Sequence, residues 1–234
     1  MNGKRLSKRL EVTASFVLKE GTVADIGSDH AYLPIHLTAH DLCEYAIAGE
    51  LNEGPLQSAI EKIYANELED RVEARLGNGL EVLEGRRADT VVIAGMGGPL
   101  IASILSEGKQ YLGGVKRLVL QPNVAADQVR RWLDGHGWIL FDEEILEEDG
   151  HIYEVLAAEP EGTSPYTEAK KEQQLWLGPY LMERKPASFR MKWRMEYDQL
   201  KRIRAQLQLA SQQLAQERAA ELEKKMSWIE EVLT

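Results

Sequence analysis

The residues best placed to do chemistry lie in Asp25-Ile26-Gly27-Ser28-Asp29-His30-Ala31-Tyr32 and in a second acid, Glu50, which ends Tyr45-Ala46-Ile47-Ala48-Gly49-Glu50. Each acid is carried by a short apolar run of the kind that forms a strand. In an open α/β sheet, ligands bind at the carboxyl ends of the strands, and an acid ending the second strand is placed to grip a ribose diol. That predicts a cofactor bearing adenosine. A pyrophosphate site wants G-x-G-x-x-G, but here Gly27 stands alone, with Asp29 and Ala31 where further glycines belong. Asp25 and Asp29 beside a pyrophosphate would also set like charges together. A phosphate-free cofactor with positive centres fits instead, and S-adenosylmethionine offers an ammonium and a sulfonium. The plainer alternative for this stretch is a strand–turn–helix capped by a Ser or Asp.

The remaining candidates fall after later strands. Gly27 lets the backbone approach a ligand without a Cβ, with Ser28 beside it, while Asp25 either orients the ammonium indirectly or fixes the turn. Leu51 follows Glu50 on the same rim. Asn78 and Gly79, in Gly77-Asn78-Gly79, stand where the adenine ring would lie, either hydrogen-bonding its amine or merely turning the chain. Ala94-Gly95-Met96-Gly97-Gly98 faces the transferred methyl group, its glycines admitting a flat base and Met96 lining the pocket. An Asn-Pro-Pro-Tyr tetrad is missing at this position, which argues against methylation of an exocyclic amine. Gln121-Pro122-Asn123 reads either as amides aimed into the same cleft or as a strand-ending turn. His30 either touches the substrate or packs beside the cofactor. No Ser/His/Asp set, zinc pattern or Walker loop occurs, so no metal is expected.

These residues need a sheet to position them. Strands are expected at 22–26, 45–50, 72–76, 90–94 and 117–121, with helices at 5–19, 32–40, after Pro55, from Leu100 and at 125–135. Strands near 137–146 and 151–159 flank Glu148-Asp149-Gly150, a turn short enough for an antiparallel pair. The result is an α/β, Rossmann-like doubly wound sheet of the class I methyltransferase layout, with an antiparallel strand at its edge. This domain is expected over 1–162. Beyond the Pro160–Pro165 linker, residues 163–234 read as helical, with breaks at Gly178-Pro179 and Lys185-Pro186. The 47 residues from Ala187 to Leu233 contain no Pro or Gly. A single helix of that length would span about 70 Å, so an antiparallel coiled-coil hairpin turning around 209–216 is expected, in a monomer. An intermolecular coiled coil is the alternative.

At 234 residues with 44% hydrophobic content, the chain suits one sizeable domain and an appendage. A single Cys43 excludes a disulfide framework. With neither a signal peptide nor an apolar run of membrane-spanning length, the expected location is cytoplasmic. The net charge of −10 conceals an asymmetry, because residues 165–234 carry 13 Lys and Arg against 10 Asp and Glu. From 184 to 204, Arg184, Lys185, Arg190, Lys192, Arg194, Lys201, Arg202 and Arg204 face only Glu196 and Asp198. Interleaved with Phe189, Trp193 and Tyr197, these residues read either as an RNA-tracking surface or as the solvated face of a coiled coil.

Asp-Ile-Gly-Ser-Asp-His-Ala-Tyr-Leu-Pro (25–34), Ala-Gly-Glu (48–50), Gly-Asn-Gly-Leu (77–80), Ala-Gly-Met-Gly-Gly (94–98) and Gln-Pro-Asn (121–123) together resemble the bacterial tRNA (adenine-N1)-methyltransferases that modify adenosine 22 in the D-arm. Ser7-Lys8-Arg9-Leu10 and the helical extension fit the same family, so the resemblance covers essentially the whole chain. Asn78 departs from it, since the family more often has Asp there. The resemblance implies methyl transfer from S-adenosylmethionine to N1 of a tRNA adenine, with Asp29 accepting from the base's N6 amine and His30 and Tyr32 close by. The target base would be extruded from the D-arm. Arg190, Lys192, Arg194, Lys201 and Arg202 would then contact RNA, with Lys8 and Arg9 of the first helix supplying a second contact. Two competing readings are a methyltransferase acting on a protein or small molecule, and a non-catalytic RNA-binding protein with a vestigial cofactor fold.

Overall fold

The computed structural model describes residues 6–207 and 213–234. Five parallel strands, β1 (Thr22–Ile26), β2 (Tyr45–Glu50), β3 (Val72–Leu76), β4 (Thr90–Gly97) and β5 (Arg117–Val124), are joined to an antiparallel pair, β6 (Ile139–Glu148) and β7 (His151–Glu159). Their order is β3-β2-β1-β4-β5-β7-β6. The antiparallel strand is therefore not at the edge, as expected, but one place in. β7 pairs with both β5 and β6, leaving β6 as the outer strand. The order reverses between β1 and β4, and a reversal of this kind opens a crevice at the carboxyl ends of the two strands.

Alternation along the strands builds a core on each face. Val91 and Ile93 point toward Ile101 and Leu105 of α4 (Gly98–Glu107) and Val129 and Leu133 of α5 (Ala126–Gly135). Val92 and Val119 point the other way, with Ala14 of α1 (Lys8–Ser15), Leu33 and Leu37 of α2 (Tyr32–Ala39) and Ile63 of α3 (Glu53–Ala65). α1 is shorter than the 5–19 expected, and position 5 lies outside the described residues. Strand β4 is longer than expected. Past a register shift, Met96 pairs with Pro122 and Gly97 with Val124, so the glycines continue the strand instead of ending it.

The C-terminal helices are α6 (Lys171–Leu177), α7 (Pro179–Arg184), α8 (Ala187–Leu207) and α9 (Gln213–Leu233). The Tyr197 hydroxyl donates to Glu230 (2.5 Å) and Arg204 pairs with Glu223 (3.6 Å), so α8 and α9 run antiparallel as a hairpin. The turn expected at 209–216 crosses 208–212, which lie outside the described residues. Leu200, Met226, Ile229 and Val232 fill the seam together with Phe189 and Trp193, and Ile145 of β6 joins this core to the sheet. Among the described residues, no helix is long and apolar enough to cross a membrane.

Candidate active site

The β1–α2 connection is unusual in its backbone. After Gly27 (φ +69°), the three successive residues Asp29 (φ +49°), His30 (φ +69°) and Ala31 (φ +60°) all lie in the left-handed region. Holding non-glycine residues there is costly, and such strain concentrates at functional turns. Side chains of both leading acids hold the turn. Ser28 Oγ donates to Asp25 Oδ2 (2.7 Å), and the His30 amide donates to Glu50 Oε1 (3.0 Å). The amides of Gly27 and Ser28 both donate to the Gly49 carbonyl (2.9 and 3.0 Å). The turn thus keeps a glycine-like backbone path while presenting a carboxylate and an imidazole, which the single-glycine motif did not reveal.

A cleft of about 430 Å³ opens over this turn. Asp25, Gly27, Ser28, Asp29 and Tyr32 line one side, and Ala94, Gly95 and Met96 line another. Asp25 is buried, and burial pushes its carboxyl up to about 7, with the Ser28 hydroxyl pulling it partly back and Glu50 adding to the rise. Asp29 is almost fully exposed, its carboxylate 3.5 Å from His30 Nε2. The Tyr32 ring packs edge-on to His30 and carries Lys62 Nζ 4.0 Å from its centroid. His30 Nδ1 is buried without a hydrogen-bond partner among the described residues. The Met96 methyl occupies the space that a Cβ on Gly27 would need, which makes Met96 the neighbour of the bare backbone.

Not every expected residue lines this cleft. Glu50 is buried behind the turn, and Leu51 is exposed on the rim beside it. Asn78 is exposed, and its amide donates to Glu81 Oε2 (3.1 Å) ahead of a short 3-10 turn that begins at Gly79. Gly97 and Gly98 stand at the start of α4, where a Cβ on Gly98 would collide with the Ala125 carbonyl. Gln121 is fully buried. Its Oε1 accepts from the Gly95 amide (3.0 Å), while Asn123 Nδ2 donates to the Gly95 carbonyl (2.8 Å). Of Gln121-Pro122-Asn123, only Asn123 lines the cleft, while the buried Gln121 acts on it through the Gly95 backbone; β5 runs on to Val124, so the segment is not a strand-ending turn.

Of the far wall, only Arg9 was legible, and there as an RNA contact and not as part of this cleft. Leu6, Ser7, Arg9 and Leu10 from the α1 end and Glu148, Asp149 and Tyr153 from the β6–β7 hairpin complete the lining. Glu148 accepts from the Lys8 and Arg9 amides (2.6 and 3.1 Å), fastening α1 over the cleft. Arg9 faces inward, with Nη1 on Gln121 Oε1 (2.5 Å) and its guanidinium 5.4 Å from the Tyr153 ring centroid. A contact between residues some 140 apart leaves no local sequence signal, although the acids at the hairpin tip were visible.

The basic segment divides. Arg190, Arg194, Lys201 and Arg202 are exposed on α8 and form no ion pair among the described residues. Lys192 instead pairs with Glu154, a buried acid that Arg130 also holds. Phe189 and Trp193, expected to interleave with the cations on an RNA face, are buried, and Tyr197 is tied to Glu230. A helix that must pack one side on the sheet has only its other side to offer a ligand. No metal-binding cluster occurs among the described residues.

A seven-stranded sheet of this order, with its crevice at the β1/β4 reversal lined by acids, defines a Rossmann-like methyltransferase. The tRNA (adenine(22)-N(1))-methyltransferase family, TrmK, matches residues 23–231. The Bacillus subtilis tRNA (adenine(22)-N(1))-methyltransferase is 41% identical over 235 residues, covering 100% of this chain and 99% of that protein. The crystal structure of the B. subtilis m1A22 tRNA methyltransferase TrmK superposes with a TM-score of 0.92 at 39% identity, covering 98% of this chain and 99% of that one. Streptococcus pneumoniae Sp1610, a putative tRNA (m1A22) methyltransferase solved with S-adenosyl-L-methionine, superposes with a TM-score of 0.85 at 40% identity, covering 98% and 100%. The chain belongs to the tRNA (adenine(22)-N(1))-methyltransferase family.

Proposed function

We propose that the protein methylates N1 of adenosine 22 in the D-arm of tRNA, with S-adenosylmethionine as donor. The observation that carries this reading is the cleft at the β1/β4 reversal, lined by Asp25, Asp29, Glu148 and Asp149. Such a site repels phosphate and suits an ammonium beside a sulfonium. When bound, S-adenosylmethionine supplies an electrophilic methyl group on cationic sulfur. Asp25 and Ser28 face the ammonium, and Glu50, held by His30, keeps its second oxygen for the ribose diol. Leu51, Asn78 and Gly79 border the adenine side. Ala94, Gly95 and Met96 shape the floor on which the methyl donor and the target base meet, with Gly97 and Gly98 carrying the chain from it into α4.

Adenine N1 is itself a nucleophile, so the chain's work is alignment and exclusion of water. The base becomes cationic as the new N–C bond forms. Asp29, exposed at the cleft edge, accepts from its N6 amine and stabilises that charge, while His30 and Tyr32 flank the ring. Arg190, Arg194, Lys201 and Arg202 contact tRNA phosphates, with the exposed Lys8 of α1 supplying a second contact. Lys192 is retained by Glu154 and is a weaker candidate. The working units are a cofactor domain over 1–162 and a tRNA-binding helical domain over 163–234, in a cytoplasmic monomer. Incubation with S-adenosylmethionine and tRNA lacking the modification, followed by nucleoside analysis, tests the reading. 1-Methyladenosine is expected, and N6-methyladenosine or no product would overturn it.

A further inference from the structure

Among the described residues, Arg9 is the one cation lining a cleft that also presents the carboxylates of Asp25, Asp29, Glu148 and Asp149. It is built in rather than loosely displayed. Its Nη1 is fixed on the buried Gln121, its guanidinium lies against the Tyr153 ring, and its backbone amide is held by Glu148. That same Nη1 stands 3.2 Å from where a Cβ on Gly95 would be, directly over the β4 turn. Nε and Nη2 make no hydrogen bond among the described residues, leaving half of the planar fork available for an oxyanion.

The proposed cofactor has three charged groups at its amino-acid end. The acids suit the ammonium and the sulfonium, but the carboxylate would be repelled by all four of them unless it met a cation. Building on the cofactor reading above, we propose that Arg9 binds the carboxylate of the methionine moiety of S-adenosylmethionine, and is not a contact to RNA phosphate. Its place inside the cleft, braced by a buried amide, favours the cofactor over the RNA backbone. Because Arg9 sits on α1, cofactor binding also secures the helix that roofs the cleft.

The test is calorimetry on the full chain without tRNA, comparing S-adenosylmethionine with decarboxylated S-adenosylmethionine, which keeps both cations and lacks the carboxylate. The wild type is expected to prefer the intact compound at least tenfold. Arg9→Gln should erase that preference while binding the decarboxylated compound as the wild type does, which also shows that the variant is folded. Arg9→Lys, which keeps the charge and loses the fork, should fall between them. An unchanged preference in Arg9→Gln overturns the assignment, as does a wild type that binds both compounds equally. Arg9→Gln that keeps full S-adenosylmethionine affinity and loses tRNA in a gel shift assigns the residue to RNA instead. A wild type that binds neither compound overturns the cofactor reading, and this assignment with it.

Discussion

At the residue scale, Asp25 has a chemistry that can be measured without RNA. Burial raises its carboxyl from 3.8 to about 7, so between those values the folded protein holds a proton that the unfolded chain has released. Stability from this group is therefore fully present below about 3.8, falls as pH rises toward 7 and is constant beyond, a change on the order of 4 kcal/mol. Asp25→Asn should remove that slope and raise the melting temperature of the ligand-free protein at pH 8. An ammonium placed beside Asp25 would ionise it. S-adenosylmethionine binding at pH 6.5 should accordingly release a proton, read as a calorimetric enthalpy that differs between phosphate and Tris buffers, and an enthalpy independent of buffer would contradict this. The acids at 25 and 50 were legible from strand-end position alone. The left-handed path through Asp29, His30 and Ala31 was not, because missing glycines do not announce that other residues will adopt glycine's backbone conformation.

At the element scale, two short junctions shape the cleft. Gly98 begins α4 directly against the Ala125 carbonyl, backbone to backbone, so no side chain can yield to an added methyl. Gly98→Ala should cost about 3 kcal/mol in urea denaturation, at the upper end for overpacking. Glu148 acts as a distant cap for α1, accepting from its first two amides. Glu148→Ala should cost about 1 kcal/mol of stability and, by freeing α1, weaken cofactor binding more than its surface position suggests. Equal cofactor affinity in the variant would count against α1 as the roof. Most elements could be read from apolar periodicity and from Pro and Gly punctuation. The end of β4 misled, since glycines ordinarily stop a strand and here pairing with β5 carries it past them through a register shift. The insertion of β7 between β5 and β6 depends on long-range pairing that no local pattern records.

At the scale of the whole molecule, the helical unit is locked to the sheet by a buried charge cluster. Arg130 of α5 holds Glu143 of β6 and Glu154 of β7, Lys192 of α8 completes the set, and the Tyr180 amide donates to Glu143 (3.1 Å). Burial alone would raise the Glu154 carboxyl, but Lys192 and Arg130 hold it down to about 2. Its contribution is present above about 4.5 and is lost as pH falls toward 2. Arg130→Met leaves two buried acids with one cation and should cost about 3–5 kcal/mol, checked by denaturant midpoint. The cationic character of 184–204 was legible, but its division was not, because sequence cannot show that Glu154 claims Lys192. Charge reversal at Arg190, Arg194 and Lys201 should therefore weaken tRNA binding and flatten its salt dependence, with cofactor affinity and melting temperature unchanged. The central claim is tested most directly by mapping the methyl group on an unmodified tRNA transcript after incubation with the full chain and S-adenosylmethionine. One N1-methyl at adenosine 22, and none when that nucleotide is replaced by guanosine, is the expected result. Methylation that persists in the replaced transcript, or that falls on another position, would contradict the account.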